Sequence, residues 1–116
     1  MLEPFVIEAL EHAGDRYGPD DVLASLTAGK RQMWVPMDGA EVLGIVITEI
    51  IEYPRLKAAT VFALAGKRFS EWFCHLEVIE EWARSHGCAV VEMSGRRGWA
   101  RRLAWRECWV GMEKVL

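Results

Sequence analysis

The stretch from Ala59 to Met93 constrains the fold more than any other part of the chain. Ala59–Ala65 (ATVFALA) is a short apolar run that ends at Gly66, and Cys88–Met93 (CAVVEM) is a second, bounded by Gly95. Between them, Trp72, Phe73, Leu76, Ile79 and Ala83 recur at helical spacing, while Glu77, Glu80, Glu81 and Arg84 fall elsewhere around the turn. The spacing predicts a helix over Glu71–His86, with Ser70 as N-cap and Gly87 just past its end. Two strands joined through a helix cannot close as a hairpin. They must lie side by side and parallel, linked by a right-handed crossover.

The residues before this unit have the period of strands. Met33–Met37 lies in RQMWVPM and Val42–Ile51 in EVLGIVITEII, with Asp38-Gly39 between them as a hairpin signal. Pro36 marks the first as an edge strand or a bulge. EYPRLKA turns the chain back, so the strands through Ala65 form an antiparallel meander. Leu2–Ala13 predicts a first helix, and YGPDDVLASLTAGK a second that opens on Pro19, Asp20 and Asp21 and stops at Gly29. After Met93, a helix over Arg97–Arg106 and a closing strand in CWVGMEKVL complete the order α-α-β-β-β-α-β-α-β. The expected architecture is α/β: one domain spanning residues 1–116, a mixed sheet with helices on both faces.

At 116 residues there is room for one core. A net charge of -3 argues against general polyanion binding, so nucleic acid is not an expected partner. No apolar run reaches the ~18 residues that span a bilayer, and Met-Leu-Glu-Pro begins no recognisable secretion signal. Three cysteines, Cys74, Cys88 and Cys108, cannot all pair within one chain; free, buried thiols in a reducing, cytoplasmic setting are expected.

With those elements in place, GKRQMWV, GIVITEIIEYPR, EWARSHGCAVVEMSGRRGWARRL and the closing MEKVL resemble the GNAT fold, the Gcn5-related N-acetyltransferase class. More narrowly they resemble short GNAT-like proteins of tailed phages and prophages, which implies a host cytoplasm or a virion as location. The likeness covers most of the chain from Gly29 onward. It implies acetyl-CoA as cofactor and N-acetyl transfer to a small amine or a protein amino group. The alternative is a non-catalytic GNAT-fold module for binding or assembly.

The resemblance also assigns places. In that class a Q/R-x-x-G-x-G/A loop aims backbone N–H groups at the cofactor pyrophosphate; here the matching segment is AGKRFSEWF. Gly66, Lys67, Arg68 and Ser70 are its candidate cofactor residues. The loop's two small residues would fall at Glu71 and Phe73, where a carboxylate repels phosphate and a phenyl group blocks close backbone approach. The tyrosine that many of these enzymes use as general acid would fall at Ala104. Glu49 and Glu52, near the end of the long strand, are the candidate general bases.

Other constellations carry less. Cys74 and His75 are neighbours that point about 100° apart on a helix, and His86 and Cys88 lack a zinc-ligand spacing, so no metal site is expected. GRRGWA lacks the Lys-Ser/Thr of a P-loop. The segment Gly95–Trp109, by contrast, holds five arginines and three tryptophans in an acidic chain. As a helix it would place Trp99, Ala100, Leu103 and Ala104 inward, and Arg101, Arg102, Trp105 and Arg106 outward. Trp99 is therefore expected in the core. The outward group is a candidate partner surface, with a second copy of the chain as one candidate partner through its Glu77, Glu80 and Glu81.

Overall fold

The computed structural model describes residues 3–10, 16–94, 97–108 and 112–116. Its strands are β1 (Gln32–Trp34), β2 (Met37–Asp38), β3 (Glu41–Val42), β4 (Gly44–Glu52), β5 (Lys57–Gly66) and β6 (Val90–Met93). Its helices are α1 (Glu3–Leu10), α2 (Pro19–Thr27), α3 (Phe69–Trp72), α4 (Glu77–Ser85) and α5 (Arg97–Leu103), with a 3-10 turn at Phe73–Leu76.

The crossover forms as its periodicity requires. β5 and β6 pair in parallel from Ala58–Val90 to Val61–Met93, joined through α3, the 3-10 turn and α4. The expected single helix over Glu71–His86 is thus three pieces, and it starts earlier. Arg68, in the left-handed region at φ 56°, is the N-cap, while Ser70 lies inside the first turn. Gly87 ends α4 as expected: at φ 80° it lets its own N–H reach the Arg84 carbonyl and the Cys88 N–H reach the Ala83 carbonyl.

The meander forms too, in four pieces where two strands were expected. β1 and β5 flank β4, each antiparallel to it, giving the order β1-β4-β5-β6. Pro36 has no N–H to give a ladder, so β1 stops before it. The chain then makes a separate hairpin of β2 and β3, turning at Gly39 (φ 59°), and rejoins at Leu43, whose N–H donates to the Pro36 carbonyl at 2.8 Å. At the start of β4, Gly44 lies opposite Gly66, and the two backbones touch. A Cβ on Gly44 would lie 2.3 Å from the Ala65 oxygen, and one on Gly66 2.4 Å from the Leu43 oxygen.

Each sheet face carries its own core. Val6 and Leu10 of α1 and Val22 of α2 pack on Ile45, Ile47 and Ala63. On the opposite face Trp72 and Ile79 pack on Leu43, Val46 and Val61. A β-bulge sorts β5 between them: Thr48 pairs with Val61 and Ile47 with Ala63, so Phe62 is the extra residue. Phe62 and Ala63 consequently both face the α1 and α2 side, while Val61 and Leu64 face the crossover.

The arginine-rich segment departs from expectation. α5 ends at Leu103 because Ala104 turns left-handed at φ 58°. The Trp105 N–H then reaches back to the Ala100 carbonyl at 2.9 Å, and the Ala104 N–H to that of Arg101. This is the same closing motif as at Gly87, with alanine in the glycine position. Trp105 therefore lies beyond the helix, folded back against the second core and half-buried, instead of standing outward among arginines. Gly95, Arg96 and Trp109 lie outside the described residues, and residues 112–116 form no strand, so the closing strand is not found there. A left-handed alanine costs roughly 1–2 kcal/mol. Ala104→Gly should accordingly raise the urea midpoint, stabilising the chain by about 0.5–1 kcal/mol after glycine's greater unfolded-state freedom is discounted.

Candidate functional site

β5 runs on to Gly66 after its last pair with β6, Val61–Met93, and the chain leaves the sheet at Ser94. The parallel pair therefore opens at its C-terminal end. Aromatic rings bridge the opening. Phe69 and Phe73, at the start of the crossover, meet Trp99 of α5 at centroid distances of 5.2 and 5.5 Å, and Arg102 lies 5.8 Å above both Phe69 and Trp99. Trp72 is buried beneath them, its indole N–H donating to the Lys67 carbonyl at 2.9 Å. Trp99, expected in the core, is half-buried.

The candidate cofactor residues stand at this opening, and their charges are already engaged. Arg68 donates to Asp38 at 2.8 Å, to Glu41 at 2.9 Å and to Glu71. Lys67 donates to Glu41 at 2.7 Å. The hairpin of β2 and β3 thus folds its two acids over the first turn of the crossover. Lys67 and then Arg68 hold the Glu41 carboxyl below its ordinary value of 4.5, and Arg68 does the same to Glu71. Both values are lowered on folding, so the stabilisation is complete above pH 4.5 and is lost as the pH falls through the lowered values. Urea midpoints should decline across that acid range, and Arg68→Ala should flatten the decline.

This arrangement does not fit the pyrophosphate of acetyl-CoA. Two cations face three carboxylates, so the local charge is negative before a phosphate arrives. α3 is a four-residue helix with little dipole to offer. Phe73, where the family loop has a small residue, is packed against Phe69, Trp72 and Trp99. Gly66 is spoken for by the contact with Leu43, and Ser70 is exposed within the helix.

Glu49 and Glu52 do not come together. They are three apart on one strand and so face opposite sides of the sheet. The Arg31 Nε lies 3.9 Å from Glu49, and the Lys57 Nζ 3.8 Å from Glu52. Glu49 is instead the first member of a polar row that sequence reasoning missed. It pairs with Thr60, which pairs with Glu92, so the three share one face across β4, β5 and β6. Glu92 accepts hydrogen bonds from Thr60 at 2.8 Å and from the Tyr53 hydroxyl at 2.6 Å. That bond is the main reason the Tyr53 pKa is raised. The row sits one residue before the strands part. The two hydroxyl donors, Tyr53 and Thr60, are 39 and 32 positions from Glu92 in sequence, and the pairing of β5 with β6 brings them together.

On α5 and just beyond, Arg101, Arg102 and Arg106 are exposed. Among the described residues no carboxylate forms an ion pair with any of them, whereas Arg16, Arg31, Arg68 and Arg84 all have one. The thiols are free, with Cys74 and Cys108 exposed where burial was expected and Cys88 half-buried. Among the described residues there is no cluster able to hold a metal, and no helix is long and apolar enough to cross a membrane.

No family model and no curated protein matches the chain by sequence. Solved structures do match. An aminoglycoside acetyltransferase from an uncultured soil metagenomic sample, solved with sisomicin, superposes with a TM-score of 0.70 at 14% identity, covering 99% of this chain and 90% of that one. A ribosomal-protein-alanine N-acetyltransferase from Brucella melitensis biovar Abortus 2308 gives 0.69 at 16%, over 97% and 89%. A GNAT family acetyltransferase from Staphylococcus aureus gives 0.66 at 10%, over 98% and 89%. Near-complete coverage of both partners, together with the meander, the parallel crossover and the opening after Val61, shows the fold: this chain is built on the GNAT frame.

Proposed function

We propose that this chain is a GNAT-fold binding module that works through the arginines around α5, without acetyl-CoA seated in the family manner. The carrying observation is the contrast between two basic groups. Arg68, at the family's phosphate position, is saturated by Asp38, Glu41 and Glu71, while Arg101, Arg102 and Arg106 have no carboxylate partner among the described residues. Trp99 gives Arg102 an aromatic floor, its ring centroid 5.8 Å from the guanidinium. Trp and Arg together are the residues most enriched where binding energy concentrates. A protein partner presenting acidic side chains fits this surface, and a phage or host assembly is the setting that the resemblance suggests.

Calorimetry tests the reading. Acetyl-CoA at millimolar concentration should give no heat. A Kd of micromolar or better, about -8 kcal/mol, would overturn it.

One observation favours acetyl transfer as a second reading. Glu92, beside the opening and hydrogen-bonded to two hydroxyls, is placed to take a proton from an amine, with Tyr53 as its companion. Under that reading Glu92→Gln would abolish acetylation of a polyamine panel, while Arg101→Glu would leave it intact.

A further inference from the structure

β6 is the outermost strand of the sheet, and among the described residues no strand pairs with its outer side. Four residues leave about 13 Å of backbone edge to be covered. The Ala89 N–H donates inward to the Lys57 carbonyl, so by alternation the N–H groups of Val90 and Glu92 point outward. A hollow adjoins this edge, with Tyr53, Leu56, Val90 and Trp105 among its lining.

Edges of this kind are ordinarily shortened, charged or covered, because they pair with any extended chain that arrives. Here the apolar exposure is not scattered. Among the described residues eleven large hydrophobics are exposed. Six of them lie either on the hollow (Tyr53, Leu56, Val90) or on the 112–116 segment (Met112, Val115, Leu116). Met112 is 93% and Val115 86% exposed. The segment forms neither helix nor strand, and Glu113 ties it to Arg16, beside Tyr17 and Phe62 at the α2 side of the sheet. One chain therefore carries an uncovered edge and a segment with three exposed apolar side chains that do not cover each other.

We infer that the two meet between copies: the 112–116 segment of one chain adds as a strand to the β6 edge of a second, and the exchange is returned about a two-fold axis. A two-fold arrangement satisfies both edges and both segments at once, which no single chain does. Main-chain bonds to β6 set the register, and alternate side chains of the segment enter the hollow. Self-association by this route leaves Arg101 and Arg102 open to an acidic partner, while Trp105 and Arg106 line the hollow that the segment enters.

The test is sedimentation velocity on the full chain and on two surface variants, with far-UV circular dichroism to verify that each is folded. The wild type should form a dimer whose fraction rises with concentration. Val90→Lys on the edge and Val115→Asp on the segment should each lower the dimer fraction at least tenfold. Mixing the two variants should recover part of the dimer, because one intact edge then meets one intact segment. A wild type that stays monomeric at about 100 µM, a dimer indifferent to both substitutions, or a mixture that recovers nothing would each overturn the exchange.

Discussion

Trp72→Ala should lower the stability of the chain by about 3–5 kcal/mol, among the largest losses expected of any single truncation here. The indole is 3% exposed and lies in the core between the crossover and the sheet, with Leu43, Val46 and Val61 beneath it. Removing it leaves a cavity that the short, segmented start of the crossover is poorly able to close. It also deprives the Lys67 carbonyl of its donor. Phe69 and Phe73 lose their shared neighbour, so the packing that bridges β5 and α5 loosens with them. For a domain of this size the loss corresponds to a melting point lower by roughly 10–25 °C. Trp72→Phe should recover most of it, leaving a deficit set by the Lys67 hydrogen bond. A melting point unchanged by Trp72→Ala would show that the second core does not depend on this ring.

Gly44→Ala should be nearly as damaging, although it adds a single methyl group. The new Cβ would lie 2.3 Å from the Ala65 carbonyl oxygen and 2.9 Å from the Gly66 Cα, and neither is a side chain that can rotate away. β4 and β5 must part at the end of the sheet from which the crossover departs. A cost of about 3 kcal/mol is expected, at the upper end for overpacking because backbone has to move. Gly66→Ala should behave alike and carry an added conformational penalty at φ 153°. Urea denaturation of both single variants and the double variant would check this. Because the two methyls strain one contact, the double variant should cost clearly less than the sum of the singles.

The parts of the fold that follow from periodicity were legible in the sequence, and the parts that follow from backbone sign or distant charge were not. The parallel β5–β6 pair came from two apolar runs separated by a helical period, and it stands as expected. Gly87 and Ala104 close their helices by the same hydrogen bonds, yet only glycine announces the left-handed turn. The helical angles assigned to Trp105 and Arg106 failed for that reason, because the helix had already ended. At the candidate site, Arg68 read as a free cation because Asp38 and Glu41 lie 30 and 27 residues away. Glu49 and Glu52 both stand near the end of the long strand, but their odd spacing places them on opposite faces. Tyr53 and Glu92, which do meet, share no local pattern at all.

The extra residue at Phe62 puts β5 out of phase with itself. In a regular strand Val61, Ala63 and Ala65 would share a face, whereas here the crossover side is served by Val61 and then Leu64. Length is therefore information in this strand, separate from the chemistry of its side chains. Deleting Phe62 would remove the one residue of β5 left without a partner between Val61 and Ala63, and strict alternation would return with Val61, Ala63 and Leu64 keeping their partners and their faces. What would be lost is the Phe62 ring, which meets Tyr17 at 4.8 Å and lies 3.9 Å beneath the Arg31 guanidinium. An ungapped comparison of β5 with an unbulged strand counts Phe62 as a paired position and so assigns each position after it to the wrong side of the sheet.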